Sequence, residues 1–189
     1  MTAAWSGTPK TWSTGALGTA ANLNTEIRDR MEYLKLRILE GQYIHIRDEK
    51  TSGTNGGTFT SGAWRTRDLN TEVSDAGGYA SVASNQITLA AGTYLADIKC
   101  PALAVGRHQA RLQDVTSAVT LLTGTSEYTA STDVVQTSSH VRGVFTLAAS
   151  KVLEVQHNGQ VTAASNGFGQ AGSFGTEVYT VVELTRIGD

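Results

Sequence analysis

The sequence predicts an all-β fold, a jelly-roll β-sandwich carried behind an N-terminal arm and one short helix. Three observations predict it. Runs that alternate apolar and polar residues recur at roughly 10–15-residue intervals between Gly, Asn, Ser and Thr clusters. Threonine, serine, glycine and alanine (26, 15, 20 and 22 residues) displace charge, and only 17% of the chain is Asp, Glu, Lys or Arg. Threonine suits a pleated sheet and glycine suits tight turns. After residue 41 there is no helical segment of the kind a parallel crossover needs.

Two units are expected, 1–40 and 41–189. Residues 1–19 are punctuated by Pro9, Gly7, Gly15 and Gly18, and no regular element fits them. Trp5 and Trp12 stand in this arm with few other apolar groups around them. Each can bury 150–250 Å², so both are expected either to dock on a partner protein, the reading preferred because the arm has few other apolar groups, or to fold back on their own domain.

Residues 20–40 read as the helix. Ile27, Met31, Leu34 and Ile38 follow a 4-3-4 spacing, the seam of a short coiled coil, and Ala20 and Asn24 extend it backwards. Gly41 stands where a helix C-cap glycine belongs. Fewer than three heptads are marginal alone. The seam is therefore expected to associate with copies of itself or to pack on its own sheet, and its breadth (Leu23, Leu36, Leu39) favours more than two chains or packing on other surfaces.

Strands are expected at 43–47, 78–83, 86–89, 93–99, 108–115, 119–122, 134–147, 152–157 and 177–186. The last carries apolar residues on both faces, as in a strand covered on both sides. Between 157 and 176 runs the longest loop-like stretch, uncharged, with Asn166, Phe168, Gln170 and Phe174 among small residues. Aromatic rings amid Gly, Ser and Asn suit an adaptable binding loop. The competing expectation is that the two phenylalanines fold inward as plugs between the sheets.

Catalytic chemistry finds little support. There is no GxSxG, HExxH, CxxC or Walker-type GxxxxGK pattern, and no cofactor motif. His45, His108, His140 and His157 are far apart in sequence, and nothing local suggests that they converge. Asp48 and Glu49 are expected to be solvated, and Cys100 to be a small buried residue. No metal site, enzyme activity or membrane insertion is expected. A net charge of −2 argues against nucleic acid as a partner.

The stretch Trp64–Ala102 carries a more specific pattern. Trp64, Thr66, Arg67, Leu69, Asn70 and Thr71 are followed by Asn85, Ile87, Leu89, Ala91, Gly92, Thr93 and Tyr94. Arg111-Leu112, Gly124-Thr125-Ser126, Gly143-x-Phe145-Thr146-Leu147, Val155-Gln156-His157 and Glu177-Val178-Tyr179-Thr180 continue it in order. The pattern resembles bacteriophage tail-fibre and virion-fibre proteins with a trimeric tumour-necrosis-factor-like, or complement-type, jelly roll. Residues 11–31 likewise resemble the attachment segment of phage tail and fibre proteins. The resemblance implies a homotrimer on a virion, at the tail or the capsid surface, assembled in the host cytoplasm and anchored through residues 1–40. Its function would be receptor binding to a host-surface glycan or protein. The alternatives are a decoration or cement protein that stabilises the particle and, further off, a carbohydrate-active sandwich enzyme.

Overall fold

The computed structural model describes residues 14–15, 18–28, 30–31, 34, 42–132 and 135–188. The chain divides into two compact units, Met1–Gln42 and Tyr43–Asp189.

In the first unit, α1 (Ala20–Leu23) begins at Thr19, whose hydroxyl accepts the Asn22 N–H at 3.2 Å. It passes into a π-helical turn at Asn24–Arg28. This differs from the uniform helix expected. A π turn adds residues to the turn, so positions upstream of it are rotated off a regular heptad seam. Ile27, Met31 and Leu34 are exposed, Met31 to 64%. Trp5, Trp12 and Ile38 lie outside the described residues.

The second unit is built of eleven strands. They are β1 (Tyr43–Lys50), β2 (Arg65–Thr66), β3 (Thr71–Asp75), β4 (Ala80–Ala83), β5 (Gln86–Leu89), β6 (Gly92–Leu103), β7 (Gly106–Asp114), β8 (Val119–Thr129), β9 (Gln136–Leu147), β10 (Lys151–Gly159) and β11 (Glu177–Gly188). One sheet has the order β3-β1-β11-β6-β9 and the other β4-β5-β10-β7-β8, with β2 on β10. Every pairing is antiparallel. The fold is a jelly-roll sandwich, as the period-2 patterning predicts.

The sheets face one another across a core supplied by alternate residues. Ile44, Ile46, Tyr94, Ala96, Ile98, Val141, Phe145, Val182 and Leu184 come from one sheet. Ile87, Leu89, Ala110, Leu112, Leu153 and Val155 come from the other. Each large side chain so buried contributes about 1.5–3 kcal/mol. Cys100 lies in this core as expected, and burial pushes its thiol up to about 11.

β2 and β3 are not among the expected strands: β2 is two polar residues long, and β3 carries one apolar residue, Val73, which is exposed. Asp48 differs from expectation too. It follows Ile44 and Ile46 on the inward parity of β1, is buried, and meets Lys50 Nζ at 3.1 Å. Burial raises its pKa.

The Trp64–Ala102 pattern has a structural explanation. The Asn70 side chain bridges Glu49, accepting from its N–H at 2.9 Å and donating to its carbonyl at 2.8 Å. Ser84 and Asn85 both have positive φ, which makes the tight β4–β5 hairpin. Asn85 Oδ1 also accepts the Leu69 N–H. Gly92 has φ +149°, and a Cβ there would lie 2.6 Å from Arg186 Nε. Tyr94 stacks on Phe145 and donates to the Ala90 carbonyl at 3.0 Å.

Candidate functional site

At one end of the sandwich the segments 53–60 and 160–176 lie against each other. Phe59 and Ala163 exchange a pair of 2.9 Å backbone hydrogen bonds, and Gly56 donates to the Gly169 carbonyl. Beneath them Phe59, Ala102, Val105 and Phe168 form a second small core. The Phe168 ring meets Phe59 edge-on at 5.0 Å and carries the Arg67 guanidinium over its face at 4.1 Å. Phe168 is therefore an inward plug and not a solvent-facing contact residue. Flanking glycines allow it: a Cβ at Gly169 would lie 2.2 Å from the Tyr179 ring.

Arg67 joins this end to both sheets: its N–H donates to the Val155 carbonyl of β10 at 2.8 Å, and its side chain bonds β11, β6 and the loop. It is fully buried and donates to Thr180 Oγ1 at 2.8 Å, the Pro101 carbonyl at 3.0 Å and the Phe168 carbonyl at 3.0 Å. Burial lowers its pKa. Three directed acceptors satisfy the fork of the guanidinium, which a lysine could not match.

The outer side of the loop is polar and ordered. Asn166 Nδ2 donates to Gln170 Oε1 at 2.9 Å, and Gln170 Nε2 donates to Asn55 Oδ1 at 3.1 Å. The Glu177 carboxylate, at the start of β11, accepts the N–H groups of Gly53, Gly172 and Ser173 at 3.0, 2.9 and 2.7 Å. These bonds hold its pKa below the usual carboxylate range. They fix the turn that carries Phe174, whose side chain is fully exposed at 101%. The four predicted loop residues thus separate: Asn166, Gln170 and Phe174 belong to the outer side, and Phe168 to the interior. The strand expected at 152–157 runs on through Asn158 and Gly159, which the sequence placed in the loop.

Two histidines do converge, contrary to the sequence reading. His108 Nδ1 and His157 Nε2 are 2.9 Å apart, and His108 Nε2 is 2.7 Å from Thr137 Oγ1. Both rings are buried. Among the described residues no group of three His, Cys, Asp or Glu comes together to hold a metal.

The outward face of the five-stranded sheet carries an apolar row. Val144, Leu95, Thr185 and Tyr43 are consecutive cross-strand partners on β9, β6, β11 and β1. Val144 is 55% exposed, and Leu95, Tyr43, Val178 and Ile187 are also exposed. The inner face of β11 packs Thr180, Val182 and Leu184 into the core. Among the described residues of the second unit, neither sheet places a strand over its outer face.

Comparison with solved structures gives the same class of fold. The globular domain of zebrafish complement 1qA protein aligns over 78% of this chain and 98% of its own, at 18% identity and a TM-score of 0.48. Murine APRIL at pH 5.0 aligns over 78% of this chain and 100% of its own, at 11% identity and a TM-score of 0.52. The likeness to murine APRIL is one of fold, a two-sheet jelly-roll sandwich. No protein-family model matches the sequence, and no curated protein matches it.

Proposed function

We propose that this chain is a non-enzymatic, self-associating binding module of a bacteriophage virion. Residues 1–40 seat it on the particle, and the Phe174 loop meets the host surface. The observation that carries the binding role is the Phe174 ring, fully exposed on a turn held by three N–H bonds to Glu177. The exposed ring offers a large apolar contact area to a partner, and a pre-ordered turn reduces the entropy lost on docking. Trimeric assembly is supported by the exposed Val144–Leu95–Tyr43 row and by the exposed seam residues Ile27, Met31 and Leu34. The virion role rests on the sequence pattern at Trp64–Tyr94 and residues 11–31.

The test is adsorption to host cells of particles carrying Phe174→Ala, alone and with Gln170→Ala. Unchanged melting with adsorption reduced by about tenfold or more supports this reading. Unchanged adsorption rejects the loop as the contact. Location of the chain away from the particle surface by electron microscopy rejects the virion role.

A further inference from the structure

The outward face of the other sheet holds a groove of about 640 Å³ whose lining includes Trp64, Arg107, Gln109, Tyr128, Asn158 and Gln160. We propose that this groove binds a carboxylate-bearing sugar, a site separate from the Phe174 loop and independent of the virion reading. Its side chains come from three adjacent strands in register. Asn158 pairs with Gln109 across β10–β7, and Gln109 pairs with Ser126 across β7–β8. Two residues along β7, Arg107 pairs with Tyr128, and the Gln160 N–H donates to the Arg107 carbonyl at 2.9 Å. Direct cross-strand partners share a face. The result is two parallel rows, Asn158–Gln109–Ser126 and Gln160–Arg107–Tyr128.

Trp64 stands beside them, held by Arg111, whose guanidinium lies 4.1 Å over the ring. Arg111 is in turn fixed by Gln156 Oε1 at 3.0 and 2.7 Å and by Thr120 Oγ1 at 3.1 Å. The indole is thereby pre-positioned.

The chemistry of this set is specific. Tyr128 is 63% exposed and offers a ring face and a hydroxyl. The carboxamides of Asn158 and Gln160 present donors and acceptors of the kind sugar hydroxyls use, and Gln109, whose Nε2 donates to the Gly124 carbonyl at 2.9 Å and to Ser126 Oγ at 3.2 Å, presents its Oε1 as an acceptor. Arg107 is exposed and makes no ion pair among the described residues. Glu127, the one carboxylate lining the groove, pairs in register with inward-facing His108 and accepts the Thr125 hydroxyl at 2.7 Å. A guanidinium fork without a carboxylate partner recognises a carboxylate with two parallel hydrogen bonds. One arginine in this groove, on a chain of net charge −2, is too little for a nucleic-acid backbone.

The experiment titrates the full-length protein with trigalacturonate and with its methyl ester, and with 3′-sialyllactose and with lactose, followed by calorimetry and ligand-observed NMR. At least one acid is expected to bind about tenfold or more tightly than its neutral counterpart. Arg107→Ala should erase that difference without changing the melting temperature, and Tyr128→Ala should weaken both members of the pair. The proposal is overturned if neither acid binds, if acid and neutral forms bind equally, or if Arg107→Ala binds as the native chain does. A glutamate-rich peptide binding as well as the sugar acids would also overturn it, since the groove would then be a peptide site.

Discussion

His108 and His157 share a hydrogen bond of 2.9 Å inside the sandwich, although 49 residues separate them. Thr137 Oγ1 lies at the far nitrogen of His108, and His157 Nδ1 is buried with no partner. The best-satisfied tautomers have His157 Nε2–H donating to His108 Nδ1 and His108 Nε2–H donating to Thr137. That leaves a bare lone pair on His157 Nδ1, which costs less than an orphaned N–H. Burial takes His108 down to about 4 and His157 well below the usual histidine range; the Arg67 charge also lowers both, while Glu127 partly offsets the shift at His108.

Acid should therefore unfold this protein in a defined window. Unfolded histidines take up protons near pH ~6.5, and the folded pair refuses them. The stabilisation is complete above that pH and is lost as pH falls toward about 4. Glu177, Asp114 and Glu154, whose pKa values are lowered, lose their contribution only further down. Melting temperatures should fall between pH 6.5 and 5, and His108→Gln should flatten that slope. A native slope that persists in His108→Gln would contradict the assignment.

Arg67→Ala should cost on the order of 3–5 kcal/mol, because it opens a cavity and strips three buried acceptors of their donor. That corresponds to a melting temperature lower by roughly 6–20 °C. Arg67→Lys should recover little, since one ammonium cannot reach Thr180, Pro101 and Phe168 together. Native-like melting of either variant would remove Arg67 as the tie between the sheets and the loop.

Glu177→Ala should loosen the Phe174 turn without loosening the core. Amide hydrogen exchange at Gly53, Gly172 and Ser173 should speed up, while exchange in β6 and β10 stays slow. Unaltered exchange at those three amides would show that the turn is held by other contacts.

Much of the sandwich was legible because its strands alternate. Ile44-x-Ile46, Leu153-x-Val155 and Val182-x-Leu184 place their apolar residues on one face, and the core is built from them. The same alternation carried unread information. His108 shares parity with Ala110 and Leu112, and His157 with Val155 and Leu153, so both rings had to point inward. Asp48 follows Ile46 by the same rule. That the two histidines meet depends on the β7–β10 register, which no local pattern encodes. Arg67 and Glu177 were visible only as members of a sequence pattern. The acceptors of Arg67 lie 34–113 residues away, and Glu177 ties its local turn to Gly53, 124 residues away, beyond the reach of periodicity. The π turn at Asn24–Arg28 likewise leaves no mark in a heptad reading.

Self-association should divide between two surfaces. Ile27→Asp or Leu34→Asp would set an unpaired charge in the seam, and Leu95→Asp with Val144→Asp would do so on the sheet face. A charge buried without a partner costs several kcal/mol. Both sets should lower the assembly constant at unchanged secondary structure. Assembly unchanged in the seam variants would leave the sheet face as the association element.

The mass of the purified chain in solution, measured by light scattering after size exclusion at micromolar concentration, tests this most directly. Self-association through these surfaces predicts three times the 20.0 kDa of one chain. A stable species at 20.0 kDa would contradict it.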